Sequence, residues 1–351
     1  MRQLQLFGVD TQLKKLEKLG DQLLALRDKI NWELFRAIIE KAIRKDNYKK
    51  GGRPPWDVVL MFKIVILQQW YNLSDESVEY QIIDRLSFQR FLGLECGDKV
   101  PDKNTIWDFK EALANAEIDR KLFDFFNEYL EDAGVITKNG SIIDATFVTT
   151  DKRHTTKKDD ESLKEGDCPH DLHEKCAEQL EHGDIKDEEH VFNQMDFDAR
   201  WAKKGNESFF GYKDHVKCDR DSKIITDFTV TDASVHDSQE LINLVNKEDT
   251  TVDLDAGYTG KDIKDEIKEE CPNVELNICA RAYRSRPLTD EDKKLNRIIS
   301  RRRCRIEHIF GYMTCFMGGL VIRCHRIKRA YRDICHKNLA YNLKRFVYLA
   351  G

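Results

Sequence analysis

The chain has 351 residues, 40% hydrophobic and 34% charged, with a net charge of −5, a balance that predicts a soluble protein of two or three folding units. No apolar run reaches membrane-spanning length and the first residues lack the apolar core of a signal peptide, so a cytoplasmic protein is expected. The ten cysteines are scattered, which argues for free thiols and against a disulfide framework.

Up to about residue 48 the pattern is helical: Leu13, Leu16, Leu19, Leu23 and Leu26 recur at three and four residues, as core or as a dimer contact. Lys49 to Pro55 reads as a linker from its glycines and prolines. An apolar helix is expected from Trp56 to Tyr71, and a shorter one after Ser74, an N-cap residue followed by acids. A break at Val100–Asn104 precedes one long helix over Thr105–Ala133, closed by Gly134 and Asn139-Gly140.

After Gly140 the period changes. Ser141–Thr149 reads as a strand, and Lys152–Phe197 as a long acidic loop. Ser208–Cys218 and Lys223–Thr231 read as two strands joined by a turn. Asp237 with Glu240 suggests a capping box opening a helix to about Lys247. Strands at Thr250–Asp255 and Val274–Cys279 alternate with helices at Thr259–Glu270, Thr289–Tyr312 and Tyr331–Tyr348. This order predicts an α/β fold, a mixed sheet flanked by helices, behind an all-helical N-terminal region.

Charge is unevenly placed. Arg281–Gly351 carries 18 Lys and Arg against 5 acids, whereas Asp159–Asp198 carries 15 acids against 3 lysines. A basic C-terminal region on an acidic protein is an electrostatic footprint for nucleic acid. Three carboxylates occupy unlike settings. Asp144 and Asp255 end apolar runs, and Glu307 is isolated in the basic helix Arg-Arg-Arg-Cys-Arg-Ile-Glu307. If the first and fourth strands are neighbours, these acids can meet, and a divalent cation is the usual compensation for their repulsion. Asp253, two residues before Asp255, is the weaker rival; Gly257 would permit a tight turn after Asp255.

On the basic helix, Asn296, Ser300, Arg303, Glu307 and Phe310 share a face. Arg303 could orient Glu307 or bind a phosphate. Arg297, Arg301, Arg302 and Arg305 are candidate DNA-backbone contacts, as is Lys213 on the second strand. His215 reads as a strand residue, and Trp201 either stacks on a base or packs the loop. Cys168, His170, His173 and Cys176 offer zinc-ligand chemistry, but their spacing matches no established site, and accidental composition is the simpler account.

The motifs Arg53-Pro-Pro-Trp-Asp, Leu67-Gln-Gln-Trp, Asp84-Arg-Leu-Ser-Phe, Pro101-Asp-Lys-Asn-Thr, Ile143-Asp-Ala-Thr, Asp198-Ala-Arg-Trp, Phe210-Gly-Tyr-Lys-Asp-His, Val235-His-Asp-Ser-Gln, Asp255-Ala-Gly-Tyr and Arg305-Ile-Glu-His-Ile-Phe-Gly occur in this order. Over most of its length the chain thus resembles a DDE transposase of insertion-sequence family five, within the wider group that includes family four. The resemblance implies a helical region over 1–138 that binds transposon ends and can dimerise. It also implies an RNase H-like catalytic domain over 139–351. The family acids fall on Asp144, Asp255 and Glu307, as catalytic residues and ligands of two Mg²⁺ or Mn²⁺ ions. Arg303 matches the wider group's last motif; Ser300 and Thr314 stand where its Tyr and Lys would be. The short span from Asp255 to Glu307 leaves little room for the β insertion of some relatives. Expected partners are transposon-end and target DNA and further copies of the chain, with no membrane, which would place the protein at the nucleoid. The alternatives are an inactive repressor derived from such an element, or a plain metal-dependent nuclease.

Overall fold

The computed structural model describes residues 8–43, 54–152, 154–156, 158–159, 161, 195–258, 260–283 and 287–351. The Lys49–Arg53 linker, the Cys168–Cys176 group and most of the acidic loop lie outside the described residues. No described helix is long and apolar enough to cross a membrane. The chain divides into two units, Met1–Val135 with Cys335–Gly351, and Ile136–Ile334.

The first unit is helical. Its helices are α1 (Gly8–Lys18), α2 (Gln22–Lys29), α3 (Arg36–Ile43), α4 (Val58–Tyr71), α5 (Asp75–Asp84), α6 (Leu86–Leu92), α7 (Lys103–Asn115) and α8 (Asp119–Asp132). The leucine stripe does not run through one helix. Asp21 caps α2, accepting from the Leu23 and Leu24 amides, and so separates it from α1. Leu23 and Leu26 reach the core, whereas Leu19 is 83% exposed. α4 is apolar on every side and buried on most, as a central helix must be. Against it pack Phe35, Phe88 and Phe91, with the Phe35 and Phe62 rings 4.9 Å apart and the Phe88 ring 5.0 Å from that of Tyr71, and Phe123 and Phe126 are buried in the same unit. Each such burial stabilises the unit by roughly 1.5–3 kcal/mol.

Ser74 caps α5 as its sequence suggests, its hydroxyl accepting from the Ser77 amide at 3.1 Å. The long helix expected over Thr105–Ala133 is instead two. Glu117 adopts φ +54°, the Ile118 amide reaches back to the Leu113 carbonyl, and both Leu113 and Ile118 are buried. Without a glycine, this break leaves no local mark in the sequence. The C-terminal segment also departs from expectation. From Cys335 onward the last helix, α12 (Ile327–Leu349), belongs to the first unit, where Leu339, Ala340 and Leu343 are fully buried and Asn342 donates to Asn127.

The second unit holds a mixed sheet of β1 (Ser141–Thr150), β2 (Arg200–Lys204), β3 (Glu207–Asp219), β4 (Ile225–Asp232), β5 (Thr251–Leu254), β6 (Glu275–Ile278) and β7 (Val321–Ile322). Its helical segments are α9 (Leu241–Leu244), α10 (Lys261–Glu270), α11 (Asp290–Phe316) and the first turns of α12. β4, β3 and β1 are antiparallel neighbours, and β5 and β6 continue parallel to β1. That is an RNase H-like arrangement, flanked by helices. β2 pairs with Glu207–Gly211 of β3, and β7 extends the end of β1. Both are too short to show a period in sequence. Where a capped helix was expected at Asp237, a 3₁₀ turn (Asp237–Glu240) leads into the single turn α9, and His236, not Asp237, occupies the N-cap.

Successive strand residues face opposite sides, so the sheet has two chemical faces. Ile143, Val252 and Leu254 form an apolar layer with Leu241, Leu244, Tyr258 and Ile267. The other parity puts Asp144 and Asp253 toward α11, whose arginines they bind.

Candidate active site

Two of the three acids converge because of strand register. Ser141 lies opposite Val252 and Ile142 opposite Asp253 in the parallel β1–β5 pair. Continuing that register two residues puts Asp144 level with Asp255, just beyond the end of β5. The Asp255 Oδ1 accepts from the Ala256 amide at 2.7 Å, which fixes its carboxylate at the turn. Gly257 sits in a 3₁₀ turn with no positive φ, so the turn does not require glycine there.

The group that joins these acids is Arg303. Its Nη2 lies 2.8 Å from Asp144 Oδ2 and its Nη1 3.4 Å from Asp255 Oδ1. Arg303 is only 8% exposed, in the buried stripe of α11 with Ile299, Ile306, Ile309 and Met313. The expected phosphate contact at Arg303 is therefore, in this state, a buried bridge between carboxylates. Burial pushes the Asp144 carboxyl above the ordinary carboxylate range; Arg303 and the Ala145 amide pull it down, and Asp255 adds to the rise.

Glu307 stands one turn beyond Arg303 and is exposed. Among the described residues, no three or more His, Cys, Asp or Glu side chains are grouped to hold one ion. The structure brings Asp144 and Asp255 together and leaves Glu307 outside that pair. Convergent hard carboxylate oxygens that already share a cation fit Mg²⁺ or Mn²⁺, which needs one or two protein carboxylates beside water and phosphate. Asp253 is fully buried, 3.5 Å from Arg220 and 3.5 Å from Arg302, and is thereby engaged in ion pairs.

The basic candidates separate by environment. Arg297 and Arg301, one helical turn apart, are exposed. Arg302 reaches Asp253, and Arg305 binds Asp221 at 3.1 Å and the Arg220 carbonyl. Lys213 is not a surface phosphate contact: it is buried, with its Nζ on Asp237 at 2.8 Å and on the Val235 carbonyl. Trp201 packs the loop, donating to the Thr155 carbonyl beside the rings of His154 and Phe210.

Sequence reasoning missed what Asp196 and Asp198 do. The buried Asp196 accepts from the Tyr212 hydroxyl at 2.7 Å and the Arg326 amide, and Asp198 accepts from the Ile327 amide at the start of α12. The Asp198-Ala-Arg-Trp motif thus anchors a helix end. Its only sequence signal was an acid pair just before β2.

His215 is fully buried, its Nε2 2.9 Å from the Thr231 hydroxyl, on the sheet face opposite Asp144. Burial lowers its pKa to about 4, against the pull of Asp237 and Glu240. A depressed histidine pKa means that the unfolded chain takes up a proton first. The resulting stability is complete above about pH 6.5 and is lost as pH falls toward 4, by roughly 3 kcal/mol in all. Urea unfolding across that window should show the loss, and His215→Gln should flatten it; an equally steep curve in the variant would assign the acid sensitivity elsewhere.

Comparison with known proteins places both parts of the chain among transposase domains. Residues 11–112 match a family model described as "Transposase domain (DUF772)", and residues 137–343 match the "Transposase DDE domain". Among solved structures, the chain is similar to one described as "Cryo-EM structure of piggyBac transposase synaptic complex with hairpin DNA", at 11% identity and a TM-score of 0.46, covering 94% of this chain and 74% of that one. With the second family model spanning more than half its length, this chain belongs to the DDE transposases.

Proposed function

We propose that this enzyme is an insertion-sequence transposase of family-five type that cleaves DNA at the element's ends and joins the freed 3′ hydroxyl to target DNA. The observation that carries this reading is the convergence of Asp144 and Asp255 on one shared cation within the DDE domain. In it, Asp144, Asp255 and Glu307 would hold two Mg²⁺ or Mn²⁺ ions. Bound there, the ions would supply Lewis-acid activation of the attacking oxygen and charge compensation at the leaving oxygen.

The chain's own residues do the rest. Register between β1 and β5 aligns the two aspartates, and α11, whose Arg303 reaches both, also carries the exposed Glu307, Arg297 and Arg301. Those two guanidiniums, a turn apart, suit successive phosphates of a DNA backbone. The helical unit, whose residues 11–112 match a transposase domain, is the proposed reader of transposon ends and the surface for pairing with a second copy. The short span between Asp255 and Glu307 holds α10, β6 and the start of α11, which gives the site a compact frame.

The test is strand transfer with precut element ends and Mg²⁺. A joined end–target product is expected. Nicked target without joined product would make the protein a nuclease, and binding without any cleavage in Mn²⁺ would make it a repressor.

A further inference from the structure

Arg303 sits between the two aspartates proposed as metal ligands. Both oxygens of Asp144 are engaged: Oδ1 by the Ala145 amide at 2.8 Å and Oδ2 by Arg303 Nη2 at 2.8 Å. Asp255 Oδ1 is shared between the Ala256 amide and Arg303 Nη1. The guanidinium therefore takes one oxygen from each of the two aspartates in register, in the space between them.

Its burial has no other compensation among the described residues. The Arg303 Nε is buried without a hydrogen-bond partner, and the neighbours along its helix stripe are aliphatic. A buried arginine costs desolvation that only close, negative partners offset. Two carboxylates brought level by the strands need a cation equally. Each side of the arrangement thus requires the other until something of higher charge replaces the arginine.

We propose that Arg303 is a placeholder cation: its guanidinium holds Asp144 and Asp255 together in the metal-free protein, and a divalent ion must displace it to bind. The inference rests on reading Asp144 and Asp255 as metal ligands. It makes Arg303 a positioning residue with an unusual signature, because its removal improves metal binding. An arginine that merely supported the fold would weaken metal binding or leave it unchanged when lost. Displacement also lowers the apparent affinity of the DNA-free protein by the fraction of molecules in which the bridge is closed.

The experiment is Mn²⁺ titration of the full-length protein, with free ion read by electron paramagnetic resonance and folding by circular dichroism. Arg303→Met, which keeps the stem and loses the charge, should bind Mn²⁺ at least ~10-fold more tightly than wild type. Arg303→Lys, whose single ammonium cannot span both carboxylates, should fall between them, and it carries the test if the methionine variant does not fold. Equal or weaker affinity in the folded variants overturns the proposal. Asp144→Asn and Asp255→Asn run alongside. If they abolish Mn²⁺ binding while Arg303 variants change nothing, the placeholder alone is wrong. If they leave Mn²⁺ binding intact, the metal-ligand reading fails, and the placeholder with it.

Discussion

Asp144→Asn should reduce Mg²⁺-dependent nicking of end DNA by more than the ~10–100-fold that losing an outer-shell partner of a metal ligand costs. The substitution keeps shape and removes the negative charge. The new side-chain amide would retain an oxygen for the Ala145 amide but lose the charge that faces Arg303. Asp255→Asn should behave alike, since the same guanidinium bridges both acids. Glu307→Gln separates chemistry from stability most cleanly. Glu307 is exposed, so its replacement should leave the unfolding free energy within about 0.5 kcal/mol while nicking collapses. Gel assays of nicking beside thermal melts measure both. A folded Asp144→Asn or Glu307→Gln protein that nicks at the wild-type rate would remove that residue from the catalytic set.

Gly211→Ala should be the most destabilising small substitution in the sheet. Gly211 has φ +150°, and an added Cβ would lie 2.3 Å from the Val148 carbonyl oxygen, 3.0 Å from Thr149 Cα and 3.2 Å from Thr150 N. All three are backbone atoms of β1, so no side-chain rotation relieves the overlap. Gly211 pairs with Thr149 on one side and Arg200 on the other, and its carbonyl accepts from the Ala233 amide. Any shift to admit the methyl opens the β1–β3 ladder in the strand that carries Asp144. A loss of about 3 kcal/mol or more follows, seen as a lower urea midpoint or as insoluble protein. Gly257→Ala is the control: its Cβ would meet nothing within 4 Å and its φ is not positive, so the melt should barely move. Equal melts for the two variants would contradict the close approach at Gly211.

Much of this site was written locally. Period-two apolar runs placed β1 and β5 within a residue or two, and with them the positions of Asp144 and Asp255. Ser74 announced the start of α5, and Thr289 with Asp292 closes a capping box at the start of α11, near the residues that suggested that helix. The basic helix itself was visible as composition. These signals survive in sequence because their energies arise between residues one to four apart.

Other features had no such signal. The helix break at Glu117 depends on burying Leu113 and Ile118 together, and β7 exists only because β1 offers it an edge. Lys213 read as a DNA-backbone contact, but Asp237 and the Val235 carbonyl enclose its ammonium. The face shared by Arg303 and Glu307 suggested that they act together. Yet packing buries one against the sheet and leaves the other exposed, because α11 turns its aliphatic stripe inward and Arg303 lies within it. By itself, then, the sequence determined which acids and arginines the protein has and which elements carry them. Only the tertiary structure decided that Arg303 reaches Asp144, 159 residues away, because strand register and helix packing are set by contacts between distant segments that no local pattern encodes.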